Sequence, residues 1–342
     1  MRLIHLLARL LAIPLLLMSL LSDFLSPSPP DAQNLDQFYA PPTQMRFVDA
    51  QGKFHWRPFI YRMELVDSLN ASYRERSDQT VSLALFCRGY QYRFLGIVPA
   101  SRHLLAAREA GTFHPWGTDA LGRDVLARTI QGARNSMMIL LFGIAIYFVL
   151  GVTVGACAGL AGGWADTLLM RFSEFVLALP ALYLVLAVRA LLPADMPFWQ
   201  TVFLTAATLA SVAWPPLARG VRGQILQSKS ATYVEAARIL GASRWHIFRR
   251  HMLPALAPYA LAQTAVASPL FILGEVILSF LNVGFHDSGA SWGTMLRSLT
   301  QDPRTLTDFW WNLSPIAFVF ATLFCLTGFS RRMPTKNPTQ LA

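Results

Sequence analysis

"YVEAARILGASRWHIFRRHMLPALAP", Tyr233–Pro258, is a basic stretch broken by one glycine and set between two long apolar runs. Thr232-x-x-Glu235 just ahead of it has the form of a capping box, which predicts a helix start. Tyr233, Ala236, Ala237 and Leu240 then follow at i, i+3, i+4 and i+7, one apolar stripe. Gly241 stands where a left-handed residue would end that helix. Ser243 can cap a second short helix carrying Trp245, Phe248 and Met252 on one side. Leu253-Pro254 would open an apolar membrane helix, proline being tolerated in a first turn. The stretch therefore reads as two short amphipathic helices at a membrane face. A helix lying on lipid would favour bulky apolar groups where this stripe has two alanines. Ala236 and Ala237 instead let another protein's surface come close.

The rest of the chain supplies the membrane. Its 342 residues are 54% hydrophobic and only 14% charged, against about 25% charged in soluble domains. An integral membrane protein follows. The net charge of +10 could suggest nucleic acid, but the basic residues sit beside apolar segments, where orientation and anionic headgroups account for them. Cys87, Cys157 and Cys325 have the spacing of neither a zinc site nor a disulfide framework and read as free thiols.

A spanning helix needs roughly 20 apolar residues. Six segments qualify: Leu6–Leu25, Met137–Leu160, Phe172–Leu192, Thr201–Leu217, Ala255–Val283 and Leu313–Phe329. The first, with Arg2 and Arg9 near its start, has the outline of a signal peptide as well, but reads as a retained helix because no convincing A-x-A cleavage site follows Leu25. Arg219, Arg222, Lys229, Arg238, Arg244, Arg249 and Arg250 crowd one connection, and Arg331, Arg332 and Lys336 follow the last segment. Both read as cytoplasmic, which puts the long stretch between the first two segments outside.

That outer stretch alternates around Ala50-Gln51-Gly52, as a hairpin would. "VSLALFCRGYQYRFLGIV" continues the β-like composition. Phe38 to about Val98 reads as a small β-containing domain whose aromatics form a modest core rather than a ligand cage.

Glu235-Ala236-Ala237, Gly241, Ile247 and Leu253-Pro254 together resemble the EAA signature of ABC-importer permeases. "GTDALGRDVLARTIQGARNSM" (Gly117–Met137), "GGWADTLLMRFSEFVLALP" (Gly162–Pro180) and "LSFLNVGF…SWGTML" (Leu278–Leu296) resemble the peptide and nickel uptake group, in the order and spacing of its second permease type. The resemblance covers about residues 114–300. Asn282 stands where the group usually has Gly, and Ala255 where Asn is common. The tail lacks the group's acidic ending, the cytoplasmic head is short and the external insertion long.

The resemblance implies an all-α permease fold of about six transmembrane helices with a β-containing insertion between the first two. It divides the chain into a first membrane helix (1–28), an external insertion (29–113), a permease domain (114–330) with a coupling loop (228–252), and a cytoplasmic tail (331–342). Glu235, Ala236, Ala237, Leu240, Gly241, Ile247, Leu253 and Pro254 would form the loop that docks on a cytoplasmic ATPase. The implied partners are a homologous permease, two ABC ATPases, an external solute-binding protein and membrane lipid, at the bacterial inner membrane. Short peptides lead as the solute, with nickel and other small solutes behind.

Other residues carry weaker signals. Gly151, Gly155 and Gly159 make a face on which membrane helices can pack closely. Glu275, in "FILGEVILSF", is an ionisable group at membrane depth. It either lines the solute path or holds a structural hydrogen bond. Arg189 can snorkel to the interface. Asp119, Arg123 and Asp124 could tie the outer loop to the membrane surface.

No G-x-x-x-x-G-K-[ST] occurs, so ATP would be bound and hydrolysed by separate subunits, with no cofactor on this chain. His246 and His251 are five apart, which fits no zincin pattern, and no metal site or catalytic set stands out. An intramembrane enzyme would need a convergent polar set that Glu275 alone does not make. A receptor or scaffold would not need the loop.

Overall fold

The computed structural model describes residues 2–94, 98–107, 113–191, 193, 196–285 and 289–330. They form two compact units, one built mainly from residues 138–275, the other from residues 10–137 and 276–322.

The second unit begins with apolar helix α1 (Arg2–Leu20), whose residues from Leu10 belong to it, and the single turn α2 (Ser22–Leu25). An antiparallel meander follows: β1 (Arg46–Val48), β2 (Phe54–Asp67), β3 (Ser72–Phe94) and β4 (Val98–Ala107), in that order across the sheet. β1 and β2 make the hairpin expected around Gly52, which has φ +80°. β3 is long enough to serve two partners. It pairs with β2 from Ser72 to Ser82 and with β4 from Leu83 to Phe94. The sheet thus runs past the Val98 limit read from composition, because β4 pairs residue by residue as far as Ala107. Ile60, Val81, Leu83 and Phe113 form its core. The aromatics do not all join a core: Phe47, Phe54 and the 91%-exposed Trp56 cluster in solvent at the hairpin.

Asp119, Arg123 and Asp124 are buried, so they do not reach a membrane surface. Asp119 accepts from the Leu121 and Arg123 amides and from Arg123 Nε at 2.7 Å. Asp124 accepts from Ala127 N at 2.8 Å, at the start of helix α3 (Val125–Ala161), and faces His114 Nδ1 at 3.0 Å. A Cβ at Gly122 would collide with Asn34 O, and its φ is +69°. The polar residues that look like a surface tie in sequence therefore lock the approach segment onto the head of α3.

The first unit takes the rest of α3, then α4 (Gly163–Ala178), α5 (Ala181–Ala190), α6 (Phe198–Ala213), α7 (Pro215–Lys229), α8 (Thr232–Ile239), α9 (Arg244–Ile247) and α10 (Leu253–Phe280), whose last turn from Val276 belongs to the other unit. Among the described residues, three of the six expected spans are single helices long and apolar enough to cross a membrane: α3, the continuous run Arg244–Phe280, and Trp310–Ser330, which contains α12 (Ser314–Ser330). Among the described residues the count reaches five if each of two bent helix pairs is one span. The third expected span breaks because Pro180 has no N–H and pushes Leu179 to an extended conformation (φ −77°, ψ 135°). The fourth bends by 52° between α6 and α7, where Pro215 starts a new helix. The first corresponds to α1 (Arg2–Leu20), in which the side chains are described from Leu10 to Leu20. The Arg189 side chain, Leu192 and the tail from residue 331 lie outside the described residues.

Candidate functional site

The basic segment at Tyr233–Pro258 lies wholly in the first unit. Thr232 does not cap it. Ala231 is the N-cap (φ −75°, ψ 139°) and Thr232 is already helical, so no capping box forms with Glu235. A threonine one position inside the helix cannot aim its hydroxyl at the free amides of the first turn. A capping box does form elsewhere, at Ser291 and Thr294, which open the helix α11 (Trp292–Leu299).

The helix end follows the local code. Gly241 has φ +80°. Its amide donates to Arg238 O at 3.0 Å and the Ala242 amide donates to Ala237 O at 3.0 Å, the paired bonds of a Schellman motif. Nothing lies within 4 Å of where a Gly241 Cβ would sit, so the backbone conformation alone demands glycine. Ser243 then caps α9, its Oγ accepting from His246 N at 3.2 Å.

The second short helix is not separate. α9 passes through a π-turn, Phe248–Met252, into α10 without a break. Leu253 N–H reaches back five residues to Phe248 O. Pro254 has no N–H to donate, and a wider turn just ahead of it relieves the clash its ring would make with the carbonyl four residues back.

The faces divide cleanly. Val234, Ile247, Phe248 and Met252 are buried. Tyr233, Ile239 (81% exposed), Leu240 (86%) and Trp245 (66%) are exposed, with Glu235, Ala236 and Gly241 beside them. The Tyr233/Ala236/Leu240 side of the stripe thus stays largely open, although the Tyr233 ring lies near His251, while Ala237 is half-buried. Leu253 and Pro254 are exposed at the head of α10.

Two further features brace α7, the helix that leads into this segment. The glycine face of α3 packs on α7. A Cβ at Gly151 would lie 2.6 Å from Leu217 Cδ2, one at Gly155 would strike Ala218 O, and one at Gly159 would lie 3.0 Å from Ile225 Cβ. Arg222 on α7 grips Asp166 on α4 side-on, Nε to Oδ1 at 2.5 Å and Nη2 to Oδ2 at 2.7 Å. That pair did not stand out in sequence, since its members lie 56 positions apart. The Arg-rich α7 and the acidic Asp166 in the "GGWAD" turn were its available signals.

Glu275 is fully buried in α10. α10 ends at a second Schellman motif, in which Val283 N–H donates to Leu278 O at 2.8 Å and Asn282 N–H to Ser279 O at 3.1 Å. Asn282 has φ +61°. The glycine that the resemblance leads one to expect is replaced here by a side chain that tolerates the left-handed region. Among the described residues no three His, Cys, Asp or Glu side chains gather as a metal site.

Residues 151–332 match the model of the "Binding-protein-dependent transport system inner membrane component" family. The chain belongs to that family. The family is one of transport-system components of the inner membrane, and this chain has apolar helices to match. Relatives include the "Oligopeptide transport system permease protein OppC" of Haemophilus influenzae, 35% identical over 62% of this chain and 66% of that protein. The "Dipeptide transport system permease protein DppC" of Bacillus subtilis is 36% identical over 62% of this chain and 64% of its own length. The "Glutathione transport system permease protein GsiD" of Pectobacterium atrosepticum is 32% identical over 62% and 65%. The chain thus spans just under two-thirds of these relatives.

Proposed function

We propose that this chain is one of two paired permease subunits in an ATP-driven importer of short peptides. The exposed ridge Tyr233, Ile239, Leu240 and Trp245, with Glu235 and Ala236 among it, carries the reading. It is an apolar surface on a basic cytoplasmic segment, braced from behind by Val234 and Ile247. One of two ATPases docks on it. ATP-driven closure of the pair swings the segment, and because α9 runs unbroken into α10, the movement passes straight into a membrane helix. The path lies between this chain and its homologous partner, and an external solute-binding protein loads it. Peptide as solute rests on the names of the relatives. The region of residues 29–113 lies outside and residues 228–252 inside.

The test is a reconstituted complex in proteoliposomes. ATP-dependent uptake of a labelled short peptide is expected only when this chain, its homologous permease, both ATPases and the binding protein are all present. Uptake that persists without this chain overturns the reading. Cysteine introduced at Ser68 should react with an impermeant reagent in intact cells and one at Ser243 should not. The reverse pattern overturns the topology.

A further inference from the structure

A cavity of about 680 Å³ opens behind the coupling segment in the first unit. Its floor is apolar, made by Ile247, Phe248 and Met252. All three are buried. Its rim is cationic. Lys229 comes from the end of α7, Arg238 from α8 and Arg244 from α9, with no carboxylate in the lining. Three separate elements thus converge three positive charges on one opening. Lys229 is held in place, its Nζ donating to Leu160 O at 3.0 Å. Arg238 and Arg244 are exposed and form no ion pair with a described carboxylate. Asp166, on α4, is committed to Arg222. Glu235, on α8, does not line the cavity.

The position is informative. Leu160 and Ala161, the last residues of the apolar helix α3, form part of the wall. The cavity therefore sits where a spanning helix leaves the hydrocarbon, at headgroup level. The exposed indole of Trp245 on its edge suits the same depth.

We propose that this cavity binds the phosphate headgroup of an anionic phospholipid of the cytoplasmic leaflet. The phosphate sits among Lys229, Arg238 and Arg244, and the start of an acyl chain covers Ile247, Phe248 and Met252. A free phosphate would use the rim and leave the floor idle. A neutral zwitterionic lipid would set its own cation against the three basic groups. The bound lipid wedges between the end of α3 and the coupling segment, so its presence sets how firmly that segment is held. The reading leans on the proposed topology only for the leaflet.

The experiment uses the assembled complex at rest, without ATP or peptide, so that it does not depend on transport. Native mass spectrometry follows release from nanodiscs containing phosphatidylglycerol, phosphatidylcholine or both. Retained phosphatidylglycerol is expected on wild type, with phosphatidylcholine absent and excess inorganic phosphate unable to displace it. Arg238→Gln with Arg244→Gln should weaken retention about 30-fold, since each basic group near an anionic headgroup contributes about fivefold. Arg171→Gln, which removes an exposed charge paired to Glu174 on α4, should leave retention unchanged. Arg244→Glu provides a single-site variant should the double one assemble poorly. Equal retention in wild type and the cavity variants, or equal retention of both lipids, overturns the proposal. Displacement by inorganic phosphate overturns the assignment to lipid.

Discussion

Asp166 and Arg222 are joined by two parallel hydrogen bonds of 2.5 and 2.7 Å, tying the first turn of α4 to the middle of α7. Such side-on guanidinium–carboxylate pairs fix geometry as well as adding energy. Asp166 is mostly buried and Arg222 about one-third exposed. The pair therefore falls between an exposed bridge, worth about 0–1 kcal/mol, and a buried one, whose breaking costs about 3–5 kcal/mol. Arg222→Ala should destabilise the complex by about 1–3 kcal/mol, read as a lower thermal midpoint and yield. Asp166→Arg with Arg222→Asp should recover part of the loss. A single variant with an unchanged midpoint would show the pair to be idle.

Two glycines on the facing helices make opposite predictions. Gly155→Ala should cost about 1–3 kcal/mol, because its Cβ has Ala218 O and Val221 Cβ in the way. Gly223→Ala, on α7 with nothing within 4 Å of its Cβ, should gain about 0.5–1 kcal/mol from helix propensity. Thermal denaturation of the two variants in detergent gives the comparison. Equal midpoints would mean that the helices do not pack on this face.

These contrasts show what a sequence can carry. Gly241, Ser243 and Asn282 stand at helix ends, where a few neighbouring residues determine the backbone, and the first two were readable from that context. The hairpin at Gly52 was readable for the same reason. The capping motif was assigned to Thr232 and formed at Ser291, because two short polar signals of similar form differ only in where the helix starts. The bends at Pro180 and Pro215 went unread, since hydropathy averages over a proline that geometry does not. Neither the Asp166–Arg222 pair nor the burial of Asp119, Arg123 and Asp124 has a local signal. Both depend on which distant segments meet.

The β1–β2 hairpin should be sensitive to acid through Asp49. Its carboxylate accepts from His55 Nε2 at 2.8 Å, Lys53 N at 2.8 Å and Gln51 N at 3.0 Å. The His55 bond first, and the Lys53 amide next, hold it below the ordinary carboxylate range. A depressed folded value stabilises the turn above the unfolded carboxylate value, about 3.9, and the benefit is lost as pH falls through the lowered one. Asp49→Asn should therefore loosen the turn at neutral pH and remove the acid sensitivity. Hydrogen exchange of peptides covering residues 46–59 reports both. Exchange that is identical in the two proteins at neutral pH would contradict this.

Glu275 is expected to act as a packed polar anchor. It is fully buried, and a charge at membrane depth costs a few kcal/mol, which favours a role in hydrogen bonding over one as a bare ion. Glu275→Gln keeps shape and most hydrogen-bonding capacity, so peptide uptake per assembled complex should change less than about threefold. Glu275→Leu keeps neither and should lower the yield of assembled complex. Assembly at wild-type yield with uptake abolished in Glu275→Gln would instead assign the charge to the solute path.

Gly241→Val should uncouple ATP hydrolysis from uptake. The site has room for a side chain, so no clash confounds the result. What valine cannot comfortably adopt is φ +80°, and strain of that kind costs about 1–3 kcal/mol. Relief comes by unwinding the Schellman motif, which frees Ala237 O and Arg238 O and lets α8 tilt away from α9. The exposed ridge at Ile239 and Leu240 would then meet its partner at the wrong angle, while Val234 and Ile247 still anchor the segment. ATPase activity should persist, and its stimulation by loaded binding protein, together with uptake, should fall about fivefold or more. Gly241→Asn, which tolerates the left-handed region, should retain most of both. Glu235→Ala acts by a different route. Glu235 makes no capping box, so its loss should leave the thermal midpoint unchanged and weaken only binding of the ATPase. Uptake, stimulation and complex yield are measured together in proteoliposomes. If Gly241→Val matches wild type in all three, the segment is not the coupling element, whatever the family signature implies.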